Sequence, residues 1–405
     1  MENDKKNTWW GVPRRMSDRQ LQRKISWQEL FYDLVYAAAI SVLTSHLATD
    51  TGPTNFGFFL LLFAMLFWTW VNGSYYHDSH GSEGVRSRYF TLLQMLAVCA
   101  VAITLPGVFA QKHQSFAIAF SVVQTIITYL WWSVGYYDPA HRHINRPYTV
   151  LYLVGLGLLV ASIFVGFRTA VILWIVAVIC DYGVVFAAAP VMLKEFAARG
   201  IEYKTTSSII ERFGLFAIIV MGESVFGIIH ALTQTDHNST NVWIGFILCM
   251  MIAFLLWWVY FDMLGESEAR PGYRHFLIIS FTNLPLLAGL AIIGSMVRII
   301  LTEKDFEKHG PARLIFGTAI SVVLACISII AKSMAEDPEE KAMIRKFHQL
   351  IWITLCVVGM LTFLLEAYNN ITFISIIALV LLVPVLMGTT IWVNFTQRRK
   401  NSEKR

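Results

Sequence analysis

Twelve apolar stretches, separated by short polar segments, make up most of this 405-residue chain. A helix needs roughly 20 mostly apolar residues to cross the hydrocarbon core of a bilayer. The stretches predict transmembrane helices at approximately 27–47, 56–75, 89–109, 115–137, 148–167, 170–190, 208–232, 242–262, 276–297, 314–331, 350–366 and 371–393. The pattern therefore predicts an all-α polytopic membrane protein.

Composition leads to the same class. The chain is 56% hydrophobic and 15% charged, with a mean hydropathy of +0.57. A soluble domain has about 25% charged residues, so this chain lacks the polar surface that a water-facing fold needs. The 5 cysteines lie far apart inside apolar stretches and predict neither a metal knuckle nor a disulfide framework.

The basic residues follow the predicted topology. If the N-terminal side is the inside, the inside segments carry 25 of the 32 Lys and Arg residues and the outside loops carry 6, with Arg212 inside a span. Cytoplasmic loops are enriched in Lys and Arg, so this bias predicts that both termini are cytoplasmic. It also accounts for the net charge of +5 without a nucleic-acid partner.

Three features recur in the same order in both halves of the chain: an acid at the start of a span, a Trp-rich segment, and an arginine before an aromatic residue. Glu29 corresponds to Glu211, and Arg88 corresponds to Arg274. Six spans in each half predict two parallel repeats. The predicted organisation is a basic head over 1–26, a first six-helix repeat over 27–190, a cytoplasmic linker over 191–207, a second six-helix repeat over 208–393 and a basic tail over 394–405.

Two segments are the most distinctive in the chain: 29–35, with the sequence ELFYDLV, and 211–224, with the sequence ERFGLFAIIVMGES. They resemble the two signatures of the bacterial low temperature requirement protein A (LtrA) family, and the resemblance covers nearly the whole chain. It implies a multi-pass protein of the bacterial cell membrane. It implies no particular substrate.

Ionisable residues inside the predicted spans indicate where function resides, because an unpaired charge at bilayer depth is costly. Glu223 is the main candidate, since it lies near the middle of the seventh span. Asp181 lies halfway along the sixth span, Asp33 lies near the start of the first, and Asn283 precedes Pro285 in the ninth. We expect these four polar residues to take part in transport or ion coupling. The alternative for Glu223 is a neutral acid that is hydrogen-bonded to a neighbouring helix.

Charged residues at helix ends form a second set. They are Glu29, Arg88, Glu211, Arg274 and Arg212. The repeat predicts ion pairs of Glu29 with Arg88 and of Glu211 with Arg274, which would fix helix ends at the cytoplasmic face. A gate made of these pairs is the alternative.

His77, Asp78 and His80 form a compact group that the span pattern places in the loop after the second span. Short polar loops often contain histidine, so we predict no metal and no other cofactor; a divalent metal site is the second interpretation. The chain also contains no glycine-rich phosphate loop for nucleotide hydrolysis.

These features predict a secondary transporter that is coupled to protons or cations through intramembrane carboxylates. Two alternatives stay open: a metal-dependent intramembrane enzyme acting on lipid, and a channel or lipid-binding sensor. The expected partners are membrane lipid and a small solute or ion, with no nucleic acid. The sequence leaves the solute, the coupling ion and the oligomeric state open.

Overall fold

The structure is a computed structural model that describes residues 9, 11–15, 23–82, 84–139, 142–198, 200, 202–233, 240–265, 267–302, 311–335, 341–365 and 368–403. Within those residues the chain forms twelve α-helices and no strand. The helices are α1 (Trp27–Leu47), α2 (Pro53–His80), α3 (Val85–Phe109), α4 (Gln114–Tyr137), α5 (Arg142–Ser162), α6 (Phe167–Ala198), α7 (Ser207–Thr233), α8 (Thr240–Leu264), α9 (Tyr273–Thr302), α10 (Pro311–Ala331), α11 (Lys341–Leu364) and α12 (Asn370–Glu403). Much of the basic head, namely 1–8, 10 and 16–22, lies outside the described residues.

All twelve helices are long and apolar enough to cross a membrane. Their outward faces carry large apolar side chains, such as Ile103 of α3 and Ile179 of α6, which are 79% and 63% exposed. Helices satisfy every backbone hydrogen bond internally, which is the condition for crossing hydrocarbon. The prediction of an all-α, multi-pass membrane protein is therefore confirmed.

Several helices extend past the predicted spans. α2 continues to His80 rather than ending near 75, and α6 continues to Ala198, so it includes the first part of the predicted linker. In α2, polar side chains bond to the preceding turn: Asn72 donates to the Trp68 carbonyl at 2.8 Å. Hydropathy marks the portion of a helix that lies in hydrocarbon, whereas capping and polar contacts decide where the helix ends.

The described residues fall into two compact units. Unit 1 comprises Met1–His46, Gly52–Arg212 and Pro271–Phe276. In this unit α2 packs against α4 and α6, and α5 packs against both α4 and α6. Its core is rich in aromatic side chains, which include Trp70, Trp174, Tyr152 and Phe116.

Unit 2 comprises Leu47–Thr51, Phe213–Arg270 and Leu277–Arg405. In this unit α8 packs against α10 and α12, and α11 packs against the same two helices. The loop after α8 is tied to the loop after α10, because Arg270 donates its backbone N–H to the Ser333 carbonyl at 2.9 Å. The α7 and α9 backbones approach closely at Gly227 and Gly294. Small residues permit this kind of crossing in membrane proteins.

Candidate functional site

Four charged residues form a buried group in unit 1 that we call the ion cluster: Arg23, Glu29, Asp33 and Arg212. Glu29 and Asp33 are four residues apart on α1 and share one helix face. Arg212, near the start of α7, reaches both of them: its Nη2 lies 2.8 Å from Oδ1 of Asp33, and its Nη1 lies 3.7 Å from Oε1 of Glu29. These three side chains are at most 3% exposed. Arg212 is therefore joined to α1 by ion pairs that are buried away from solvent.

The other side of Glu29 is held by the segment that precedes α1. Arg23 donates from Nη2 to Oε1 of Glu29 at 2.5 Å and from Nη1 to Oε2 at 3.1 Å. Ser26 donates its backbone N–H to the same carboxylate at 2.9 Å, and its hydroxyl accepts the Glu29 N–H at 3.3 Å. This reciprocal pair is a capping box, so one glutamate both starts the helix and joins the cluster. Two arginines balance two carboxylates, which leaves the cluster without net charge.

Aromatic side chains surround the Asp33 and Arg212 pair. Trp70 of α2 donates its indole N–H to Oδ1 of Asp33 at 2.7 Å. The guanidinium carbon of Arg212 lies 5.2 Å from the ring centroid of Tyr32, a cation–π distance. Gly73 of α2 makes room for that ring, because a Cβ at this position would overlap the Tyr32 hydroxyl. The glycine is thus required by the cluster's packing.

The charged helix-end residues form different contacts from the ion pairs that the repeat predicts. Glu29 pairs with Arg23 and Arg212, whereas Arg88 contributes its backbone carbonyl, which accepts from Gln28 Nε2 at 3.2 Å. Glu211 is exposed, and within the described residues no ion pair joins it to Arg274. The reason is geometric: adjacent residues of a helix point about 100° apart, so only Arg212 of the Glu211-Arg212 dipeptide faces α1.

His77, Asp78 and His80 lie in the last turns of α2 and are buried, so their placement in a loop was wrong. Their side chains have separate partners. The His77 ring contacts the Gly73 carbonyl and the Thr91 hydroxyl, each at 2.7 Å. Ser208 donates to Asp78, and Nδ1 of His80 lies 2.9 Å from the Arg14 carbonyl. The described residues contain no group of three His, Cys, Asp or Glu that could hold a metal ion.

Asp181 lies in the interior of unit 1, halfway along α6, and is 6% exposed. Its Oδ1 accepts a hydrogen bond from Nε2 of Gln124 on α4 at 3.0 Å. No basic side chain among the described residues forms an ion pair with it. Gly155 of α5 leaves space for the Asp181 carboxyl group, since a Cβ at position 155 would lie 2.8 Å from Oδ1 of Asp181. Asp181 is thus a carboxyl group with a neutral partner, deep in an apolar unit.

A small cavity of about 10 Å³ borders Asp181, Trp68 and Tyr182. That size is close to the smallest space that holds one water, about 10–15 Å³. The Trp68 and Tyr182 rings stack with centroids 4.0 Å apart, and Tyr152 donates its hydroxyl to the Asn72 side chain in the same interior. The remaining described lining of the cavity is mainly apolar, so Asp181 is its charged member there.

Glu223 and Asn283 belong to unit 2. Glu223 is half-buried on α7, one residue from Ser224, whose backbone N would lie 2.9 Å from a Cβ on Gly294 of α9. Asn283 is buried on α9, two residues before Pro285, and donates to the Ile279 carbonyl of its own helix at 2.8 Å. Its Oδ1 has no hydrogen-bond partner among the described residues. That oxygen is available to a donor that enters the interior.

Comparison with known proteins decides the family. The bacterial low temperature requirement A protein family, LtrA, matches residues 24–393, which is most of the chain. The chain belongs to the LtrA family. An uncharacterized protein of Rhizobium meliloti (strain 1021) is 26% identical to this LtrA protein over 311 residues, which cover 72% of each chain. No solved structure matches this chain.

The two segments that resemble LtrA signatures contribute to the same cluster in this protein. The segment 29–35 supplies Glu29 and Asp33, and the segment 211–224 supplies Arg212. Sequence reasoning identified these residues but missed Arg23 and Trp70 as their partners. The Ser26-x-x-Glu29 pattern is a capping-box signal, and it predicts the contacts between the segment before α1 and Glu29. Trp70 carried no signal in the sequence beyond its place in a Trp-rich segment.

Proposed function

We propose that this LtrA protein is a secondary transporter of the bacterial cell membrane that couples solute movement to a proton at Asp181. The observation that carries the proposal is the environment of this carboxyl group: nearly complete burial, one amide donor from Gln124 and no cationic partner among the described residues. Intramembrane acids of this kind are rare and mark ion or substrate pathways.

The chemistry follows from the two protonation states. An ionised Asp181 would leave an uncompensated charge in an apolar interior, and a bound proton removes that cost. The neutral acid keeps the Gln124 hydrogen bond to Oδ1 and has an O–H to donate on Oδ2. When the site is opened to water the carboxylate becomes hydrated and releases the proton. Alternating exposure therefore loads and unloads one proton at this position.

The small cavity beside Asp181 supports such a role, because a single water there would give the carboxyl a proton-transfer partner. Glu223 and Asn283 in unit 2 are proposed as further coupling or substrate-contacting residues, as their depth in α7 and α9 suggests. The ion cluster has balanced charges and a rigid aromatic enclosure, so we propose a structural role for it, with Asp33 as counterion of Arg212.

The proposal is tested in proteoliposomes that contain a pH-sensitive dye and the purified full-length protein. Solutes of different classes, including amino acids, carboxylates, amines and sugars, are added outside in turn, and the internal pH is recorded. We expect at least one solute to move protons in wild type and not in empty liposomes. For that solute, Asp181→Asn should abolish proton movement while exchange of labelled solute against unlabelled solute continues.

Two comparisons make the test specific. Glu211→Gln removes an exposed carboxylate and should leave proton movement at the wild-type level. Gly155→Ala should impair coupling because its Cβ would displace Asp181, whereas Gly157→Ala, with no atom within 4 Å of the new Cβ, should not. Wild-type proton movement in Asp181→Asn would contradict the proposal, and flux that never saturates with solute would indicate a channel.

A further inference from the structure

Unit 2 contains a groove of about 320 Å³ between α8, α11 and α12, which we call the α8/α11/α12 groove. Its walls are mainly apolar and include Met343 and Phe347 of α11 and Met263 of α8. The groove has the volume of a small ligand pocket, for which about 300–1,000 Å³ is typical. Neither the ion cluster nor Asp181 is part of it.

The groove lies at helix ends that share one face of the membrane. Its lining comes from the last turns of α8, the first turns of α11 and the segment of α12 around Gly388. Because successive spans cross in opposite directions, the ends of the candidate spans Thr240–Leu264 and Asn370–Ile391 and the start of Met343–Leu364 lie toward the same side. An amphipathic ligand at this depth would place its polar group at the interface and its apolar part in the groove.

Among the described residues, one charged group lines the groove. Asp262 lies four residues after Trp258 on the same face of α8, and both side chains line the cavity. Asp262 is exposed, and within the described parts of the chain it forms no ion pair with a basic residue. The Trp258 side chain hydrogen-bonds to the Asp262 carboxylate, and a carboxylate held in this way is complementary to an ammonium group through charge.

We propose that the α8/α11/α12 groove binds an amine-bearing phospholipid, with its ammonium at Asp262 and an acyl chain in the apolar groove. The carboxylate disfavours lipids with a net negative headgroup, because like charges repel. The apolar lining disfavours small hydrophilic cations, which would have nothing to bury. Asp262 therefore selects the headgroup, and the groove supplies the apolar contact. The site does not depend on the proposed transport activity.

The test measures retained lipid by native mass spectrometry of the purified full-length protein. The protein is supplied with equal amounts of dioleoyl phosphatidylethanolamine and dioleoyl phosphatidylglycerol, which differ only in the headgroup. We expect wild type to retain the phosphatidylethanolamine in preference by about two- to fivefold, the range of an exposed ion pair. Asp262→Asn keeps the shape of the side chain and should bring the ratio close to one.

Two matched controls separate the groove from the rest of the surface. Glu268→Gln removes an exposed acid near the same end of α8, outside the groove, and should leave the ratio unchanged. Thr389→Trp fills the groove and should reduce retention of both lipids, whereas Thr390→Trp, one residue along α12 and outside the lining, should not.

An equal retention of the two lipids by wild type, or a preference that survives Asp262→Asn, would overturn the proposal. Equal effects of the two tryptophan variants would also overturn it. If Thr389→Trp aggregates on size exclusion, the Asp262→Asn comparison decides alone, because that change adds no volume.

Discussion

Arg212 illustrates how a single buried charge is tolerated in an apolar helix. Its guanidinium has Asp33 on one side at hydrogen-bond distance, Glu29 at 3.7 Å, and the Tyr32 ring against its face. Desolvating an isolated ion costs several kcal/mol, so every one of these contacts offsets part of a large penalty. These contacts compensate a buried charge more than they add net stability.

Replacing Asp33 by Asn should be strongly destabilising, because it leaves Arg212 with only the more distant Glu29 as a counterion. Removing one partner of a buried ion pair typically costs about 3–5 kcal/mol. The measurement is thermal unfolding of the detergent-purified protein, monitored by loss of the monodisperse peak on size exclusion after heating. Asp33→Asn should unfold at a clearly lower temperature than wild type.

The double variant Asp33→Asn with Arg212→Gln distinguishes charge imbalance from loss of shape. It removes both charges and leaves two amides that can bond to each other, so it should be less destabilised than the sum of its single variants. Glu211→Gln, an exposed change on the same helix, should stay within about 0.5 kcal/mol of wild type. Additive effects in the double variant would show that Asp33 and Arg212 do not act as a pair.

Sequence identified three of the four charged residues of the ion cluster but not their partners. Glu29 and Asp33 stand out because they are acids four residues apart at the start of an apolar span, and Arg212 because it is a charge inside another. The pair Asp33 and Arg212 is separated by 179 positions, and residues so far apart carry no local signal of their contact. Arg23 lies outside the span and gave no indication that it reaches Glu29.

At the scale of helices, glycines determine how closely α7 and α9 cross. A Cβ on Gly294 would lie 2.9 Å from the backbone N of Ser224 and 3.0 Å from the carbonyl carbon of Glu223. A Cβ on Gly227 would lie 2.7 Å from the Gly294 carbonyl oxygen. The obstructing atoms are backbone, so they cannot rotate away. The crossing places the backbone of Glu223 against α9, and the residue as a whole is half-buried.

Gly294→Ala should therefore separate the two helices locally and destabilise unit 2. Overpacking of this kind typically costs about 1–3 kcal/mol. The matched control is Gly222→Ala on α7, where the new Cβ meets no atom within 4 Å and reduced backbone freedom favours the folded state. The unfolding temperature of Gly294→Ala should be lower than that of wild type, and that of Gly222→Ala should equal or exceed it. The reverse order would contradict the close approach of α7 and α9.

The number of helices could be predicted because each span must supply its own apolar length. The residues at which the helices begin and end could not be predicted as well, since they depend on side-chain contacts that a hydropathy pattern does not contain. α5 begins at Arg142, before the predicted 148, and ends at Ser162, before the predicted 167. At its end, Ser162 accepts from the indole N–H of Trp174 at 2.9 Å, a contact with α6 that no hydropathy pattern contains.

At the scale of the whole molecule, positions that the repeat treats as equivalent have different surroundings. Glu29 is buried between two arginines, whereas Glu211 is exposed. A duplicated scaffold would permit this divergence, because only one copy of each position needs to keep a given role. The two parallel six-helix repeats and the domain bounds derived from them stay a prediction that the described contacts do not decide.

The orientation of the chain is a further prediction at this scale. The Lys and Arg distribution of 25 to 6, together with an even number of spans, predicts that both termini are cytoplasmic. Fusing green fluorescent protein to either end should give fluorescent cells, because it folds in the cytoplasm. Alkaline phosphatase at the same positions should be inactive, since it needs the oxidising periplasm.

Internal fusions make the test of orientation two-sided. A fusion that ends the chain after Gln111, in the loop between α3 and α4, should reverse both signals, with active phosphatase and no fluorescence. A fusion after Asp138, which follows α4, should restore the cytoplasmic pattern. Active phosphatase at both termini would mean that the whole topology is inverted. Activity at only one terminus would mean an odd number of crossings, and one of the twelve helices would then not span the bilayer.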